Sequence, residues 1–354
     1  KTSEVCKSRA LWRSALFIYL AKNLGGIYTV GNLLVFVLGD LLDYNLVLWL
    51  LLAVPLIHFC LLLRLPETPS FLIKQGKNEE TAKVLAWLRS LPVNHTSISE
   101  EVDRLIIEQT SNEPKFSPKL IFADRIIRKA FWVVLAVNLT REFCGCIAVL
   151  VYASHIFTAA SEGHSDGLFL SPNKQSILLA AVQIVGSFLA CQLVDRTGRK
   201  PILIVTSVVA GFSMCLLGVW FYLHSIGVYM PGWVPIVSLC FSIFADASGL
   251  QPLPFVVMTE MFNFQLRGTV ATIITATSLG SDFALLKLFT PLNNWLGYHS
   301  TFWIYSAICL ANVFYLIFYV PETKMKSLEE IYSDLEGKKR KKQNDEEIVE
   351  TQHI

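Results

Sequence analysis

Eight runs of about twenty mainly apolar residues dominate this sequence, at 14–38, 44–63, 130–157, 176–194, 202–223, 233–257, 270–289 and 302–320. A bilayer core about 30 Å thick takes roughly 20 residues of helix, so each run is long enough to cross one. In lipid every backbone N–H and C=O must be satisfied inside the chain, which leaves helices or closed barrels. The runs are continuously apolar and far longer than the roughly 10-residue alternating strands of a barrel. The expectation is therefore an all-α membrane protein. Composition agrees: 53% of the 354 residues are hydrophobic and 16% charged, against about 25% charged in an ordinary soluble domain.

The basic residues set a direction. If the loops alternate between two sides, 26 of the 30 Lys and Arg fall on one side and only Lys174 on the other, while Lys22, Arg141 and Lys287 lie within runs. By the positive-inside rule both chain ends and the long loop from Arg64 to Lys129 are cytoplasmic. On that topology neither Asn94-His-Thr nor Asn138-Leu-Thr is a glycosylation site. A net charge of +2 with no basic amphipathic face gives no case for nucleic acid. The chain opens with Lys1 in a polar stretch without an apolar h-region or cleavage site, and reads as a fragment with no signal peptide.

The central loop divides the runs two and six. It has helical periodicity at 79–91 and 99–108, with Asn78 and Ser99 as N-caps. Residues 337–354, a basic cluster followed by acidic residues, read as a disordered tail. All eight cysteines (Cys6, Cys60, Cys144, Cys146, Cys191, Cys215, Cys240 and Cys309) lie in or beside apolar runs, without the loop spacing of a disulfide framework. Cys144-Gly-Cys146 has no second Cys or His pair in sequence, so no metal site is expected and no cofactor. Nucleotide loops of the Gly-x-x-x-x-Gly-Lys type and nucleophile elbows are also missing, so the chain does not read as an enzyme.

Four motifs, each just after an apolar run, carry a resemblance: PETPSFL at 66–72, VDRTGRKPIL at 194–203, TEMFNFQLRG at 259–268 and PETKMKSLEEI at 321–331. Together they resemble sugar porters of the major facilitator superfamily, and the loop and last motif are similar to insect trehalose and hexose facilitators. The resemblance implies the major facilitator fold, twelve spans in two halves around a central cavity, of which this chain supplies eight. The implied domains are the end of the first half at 1–65, a cytoplasmic helical linker at 66–128, the C-terminal six-helix half at 129–320 and a cytoplasmic tail at 321–354. It also implies a plasma-membrane monomer whose partners are a small-molecule sugar and the bilayer. Residues 2–8, with Glu4, match an acidic motif whose following Arg-Gly is here Leu11-Trp12.

Charges at the cytoplasmic ends of runs, Glu67, Asp195, Arg196, Arg199, Glu260, Arg267 and Glu322, can latch helices in one state and separate in another. They also read as topological anchors worth little individually. A sugar site needs neutral polar groups and aromatic faces. The resemblance puts the substrate-binding set at Gln183, Arg141, Glu142, Phe255 and Ser278. Arg141-Glu142 replaces the family's Gln-Gln, Ile147 its Asn, Gln251 a Gly, Phe255 a Trp, and Ser278-Leu279 its Asn-Trp. With Asp246 and Asp282 also inside runs, three alternatives stand beside sugar transport: a carrier for a charged metabolite clamped by Arg141, a proton-linked step through Glu142, Asp246 or Asp282, and a non-transporting sensor that keeps an ion-pair network. Arg141 and Glu142 are about 100° apart around a helix, so one of them is expected to find its partner on another helix.

Overall fold

The computed structural model describes residues 24–89, 91–111, 121–122, 124–161 and 171–336. Glu4, Leu11, Trp12, Lys22 and the tail from 337 lie outside them. The chain divides between Lys115 and Phe116 into two compact units.

The first unit holds α1 (Leu24–Leu41), α2 (Tyr44–Leu62), α3 (Pro69–Lys74), α4 (Asn78–Arg89) and α5 (Thr96–Ser111). No residue of α2 is buried. Trp49 is 70% and Val54 65% exposed, an apolar surface far too continuous for water and suited to lipid or neighbouring helices. His58, within α2, is exposed too.

Helices α3, α4 and α5 fold differently, as a small amphipathic cluster. Leu85, Ile98 and Val102 form its centre, with Ala82, Leu105 and Ile106 against it. Leu72 and Ile73 of α3 are buried as well. Arg89 grips Glu101 with Nε and Nη2 at 3.2 and 2.7 Å. The Ser99 cap is a correction: α5 starts at Thr96, so Ser99 falls in the first turn and its hydroxyl donates to the Thr96 carbonyl at 2.8 Å. His95 Nδ1 instead accepts from the Ser97 amide at 3.3 Å.

The second unit contains α6 (Arg125–Phe143), α7 (Cys146–Val151), α8 (Ala153–Ser161), α9 (Pro172–Thr197), α10 (Arg199–Ser225), α11 (Trp233–Ala245), a π-helical turn at Asp246–Leu250, α12 (Leu253–Met261), α13 (Phe264–Tyr319) and α14 (Leu328–Glu336). The starts follow local chemistry. Asp124 accepts from the Ile126 amide at 2.7 Å and Asn263 from the Leu266 amide at 3.1 Å, each satisfying a donor that a helix N-terminus leaves open. Pro172 opens α9, where its missing N–H costs nothing.

Among the described residues, six stretches are long and apolar enough to cross a bilayer: Tyr44–Leu62, Arg125–Val151, Asn173–Val194, Arg199–Ser225, Trp233–Met261 and Leu266–Tyr319. Continuous helix over the 56 residues of α13 would run about 84 Å, well over twice a bilayer core. It bends at Gly297 (φ 78°) and so supplies two spans. The predicted loop between runs at 289 and 302 is thus helical except at this bend.

Two runs read as continuous are interrupted. The third breaks at Gly145, whose φ of 85° reverses the local helical sense. The sixth breaks at the π turn, followed at once by Pro252 and Pro254.

Close approach of α10 to the second arm of α13 rests on small residues. A Cβ on Gly218 would come within 2.5 Å of the Trp303 ring, and one on Gly211 within 3.1 Å of Leu310. Ser306 donates to the Gly211 carbonyl at 2.7 Å and Asn312 to Ser207 Oγ at 3.1 Å. Between apolar helices, such packing and hydrogen bonding supply the association that water would otherwise drive.

Candidate functional site

Two groups of ionisable residues stand out in the second unit, one inside its spans and one at their ends.

The inner group forms around the C-terminus of α6. Arg141 Nη1 and Glu142 Oε1 are 2.7 Å apart, with side chains 15% and 1% exposed. This corrects the expectation of a partner on another helix: the long Arg side chain bridges the 100° between neighbouring Cβ directions and reaches its own neighbour. Other helices contribute more acid to the same place. Asp246, at the start of the π turn, and Asp282, on the first arm of α13, both lie within electrostatic reach of Arg141, though neither forms an ion pair with it among the described residues. Ser278, one turn before Asp282, sits with it beside Glu142. One guanidinium therefore confronts three carboxyl groups in a largely buried setting, where uncompensated charge is costly.

Of the predicted substrate set, the structure brings Arg141, Glu142 and Ser278 together. Gln183 is fully buried on α9, and Phe255 is partly buried on α12 against the main core. Leu279, at the family's Trp position, is 65% exposed and points away from the packed interior.

The outer group is built on Arg199, the first residue of α10. Its Nη2 and Nε reach Glu260 Oε1 of α12 at 2.7 and 3.0 Å, and its Nη1 donates to the Val194 carbonyl of α9 at 3.1 Å. The other oxygen of Glu260 accepts from Thr323 Oγ1 at 2.6 Å. Glu322 covers the N-terminus of α10: its carboxylate accepts from the amides of Arg199 and Lys200 at 3.0 and 3.1 Å, and from those of Thr323 and Lys324 at 3.0 Å each. An anion at that position meets unpaired amides and the positive end of the helix dipole.

Arg199, Glu260 and Glu322 thus form one connected latch joining three helices to the segment that follows α13. The other predicted charges are used differently. Arg196 is exposed and offers its carbonyl to Lys324 Nζ at 2.6 Å. Arg267 donates to the Phe262 carbonyl at 3.3 Å, with no carboxylate against it among the described residues. Glu67, in the first unit, is exposed and has no ion pair among the described residues. The side chain of Asp195 lies outside them.

Sequence reasoning missed the docking of α14. Ser327 and Glu330 form a reciprocal capping box, with amide-to-side-chain distances of 3.2 and 3.3 Å, and the S-x-x-E spacing was there to be read. Tyr332 then donates to the Met261 carbonyl at 3.1 Å, and Lys129 to that of Leu335. Burial beside Asp124 raises the Tyr332 phenol above its usual range, so it remains a donor.

Residues 14–335 match the family described as sugar (and other) transporters. The chain belongs to this family. It is a multi-pass membrane protein with the all-α major facilitator fold, and its relatives are carriers rather than enzymes. Over 318 residues it is 32% identical to a protein of Bombyx mori named facilitated trehalose transporter Tret1, covering 89% of this chain and 61% of the relative. Its identity to the Tret1 of Aedes aegypti is 29%, covering 88% of this chain and 38% of that protein. The chain therefore spans less than two-thirds of these relatives. Among solved structures, the xylose transporter XylE of E. coli in an inward-open conformation superposes with a TM-score of 0.65 at 22% identity, over 87% of this chain and 62% of XylE. A partially occluded inward-open form gives 0.68 at 21%, over 88% and 65%.

Proposed function

We propose that this chain belongs to a facilitative carrier that moves trehalose or a hexose by alternating access. On this reading the chain holds the end of a first half at 1–65, a cytoplasmic helical linker at 66–128, a six-helix half at 129–320 and a tail at 321–354. Both ends face the cytoplasm, and the protein is a monomer in the plasma membrane. The observation that carries the reading is the Arg199–Glu260–Glu322 latch, made of separable ionic and hydrogen-bonded contacts at one end of the six spans. Such contacts hold helix ends together in one state and give way in another.

Charge distribution around Arg141 bears on the substrate. A carrier for an anion needs an unspent cation, whereas Arg141 is held by Glu142 with Asp246 and Asp282 beside it. Among the described residues no cation is left unpaired there for an anion to meet, which favours a neutral ligand over an anionic one. Gln183, Ser278 and Phe255 are the side chains of a type that suits sugar hydroxyls and rings. The ion cluster also supports a second reading, a sensor that keeps the fold without flux.

Uptake of radiolabelled trehalose and glucose by the complete gene product, in cells lacking sugar transport, separates these. Saturable uptake that ignores a proton gradient supports the facilitator. Uptake that follows the gradient replaces it with a proton-linked carrier. Protein at the cell surface with no sugar flux refutes sugar transport and leaves the sensor reading.

A further inference from the structure

We propose that Cys144, Cys146 and Asp246 form a binding site for a thiophilic divalent cation of the zinc type, buried between the α6–α7 break and the π turn. Their ligand atoms, two Sγ and a carboxylate oxygen, all lie within 4.8 Å of one another. A tetrahedral zinc site with Zn–S about 2.3 Å and Zn–O about 2.1 Å sets such atoms about 3.5–3.8 Å apart, so small side-chain rotations complete it.

The convergence is not what the sequence spacing dictates. Residues two apart on a helix point about 200° apart, which would send the two thiols to opposite faces. The left-handed turn at Gly145 folds the chain between them and brings both to one side. Residue 145 is held to glycine by space as well, since a Cβ there would lie 2.3 Å from the Tyr305 ring. The third ligand arrives from a hundred residues away, on a π turn, a form that recurs at functional sites.

Asp246 is 4% exposed, and no hydrogen bond reaches its carboxylate among the described residues. Arg141, the cation nearby, is held by Glu142 at 2.7 Å and makes no ion pair with Asp246 among the described residues, so the buried carboxylate has room for a direct partner, a cation or a proton. A metal answers the need without adding charge: as the divalent ion enters, the two thiol protons leave to solvent, and the buried total is unchanged. Two sulfur donors select a soft or borderline ion over calcium or magnesium, which take oxygen. Cys309 is also at hand, its Sγ 4.0 Å from the Cys144 carbonyl, and Ser242 Oγ lies 3.6 Å from Cys146 Sγ.

The test uses the complete protein purified in detergent with a non-thiol reductant, stripped by chelator and titrated with Cd(II). The expected result is one equivalent bound per chain, with an ultraviolet thiolate-to-cadmium charge-transfer band. Asp246→Asn weakens binding at least about tenfold, a Cys144→Ser/Cys146→Ser double variant abolishes the band, and a Cys215→Ser/Cys240→Ser variant keeps it. Zinc-edge X-ray absorption of the wild-type protein, which depends on no variant folding, shows two sulfurs at about 2.3 Å. A wild-type protein without the band, a shell of oxygen and nitrogen alone, or a band that survives the Cys144/Cys146 double variant overturns the site.

Discussion

Arg141 and Glu142, neighbours in sequence, bridge one another at 2.7 Å, with Asp246 and Asp282 in electrostatic reach of the same guanidinium. The pair is thus both self-contained and outnumbered, and this asymmetry decides how its members respond to substitution.

Removing the cation should cost more than removing the anion. Arg141→Gln leaves three carboxyl groups without a counter-charge and is expected to destabilise the protein by about 3–5 kcal/mol. Glu142→Gln leaves Arg141 with Asp246 and Asp282 and should cost clearly less. The double change to Gln-Gln, the pair seen in sugar porters, should be milder than the sum of the two. Thermal unfolding in detergent across the four proteins measures the coupling, and equal losses for the single changes would contradict the charge count.

Arg199→Ala should unlatch α10 from α12. It removes a bidentate hold on Glu260, worth about 1.5–3 kcal/mol for hydrogen bonds to charged groups. Arg199→Lys should fail to restore it, because one ammonium cannot meet Glu260 and the Val194 carbonyl in the same fork geometry. Initial uptake rates, compared with surface expression, read the outcome, and full rescue by lysine would refute the bidentate role.

Glu322→Ala should free the N-terminus of α10 and the segment at 321–327 together, since one carboxylate accepts from four amides. A loss of about 0.5–2 kcal/mol is expected from the cap alone. Faster hydrogen exchange in both segments checks it, and faster exchange in only one would separate them.

Gly145→Ala should be severe on two grounds, a φ of 85° and a Cβ inside the Tyr305 ring. The backbone part alone is of order 1–3 kcal/mol. Adding Tyr305→Ala should recover the steric share but not the backbone share. Unfolding temperatures that return fully to those of Tyr305→Ala would show that the turn is unstrained.

Tyr332→Phe should loosen α14 by about 0.5–1.5 kcal/mol, the value of one hydrogen bond. Its readout is proteolytic release of the segment after Lys326, with the transmembrane helices intact.

Much of the architecture was legible because lipid imposes a simple rule: backbone groups must be satisfied locally, so length and apolarity mark spans directly. The run at 44–63 corresponds to α2, the run at 202–223 to α10, and the linker helices to α4 and α5 within a few residues. Where a run contained its own break, as at Gly145 and Asp246, hydropathy alone saw one span. A break changes dihedral angles without changing polarity.

The sequence by itself determined that this chain crosses a membrane as helices and belongs with sugar porters, because span length and end motifs are local properties. Tertiary structure alone decided which charges are partners. Of seven candidate gating residues it joined Arg199, Glu260 and Glu322, while it used Arg196 only through its own carbonyl, which accepts from Lys324, and turned Arg267 to the Phe262 carbonyl. It also gathered Arg141, Glu142, Ser278, Asp246 and Asp282 from three separate spans, and set Cys144, Cys146 and Asp246 together. Such proximity depends on how helices rotate and bend against one another, as at the left-handed turn of Gly145 and the close packing at Gly211 and Gly218, and not on any one segment's composition.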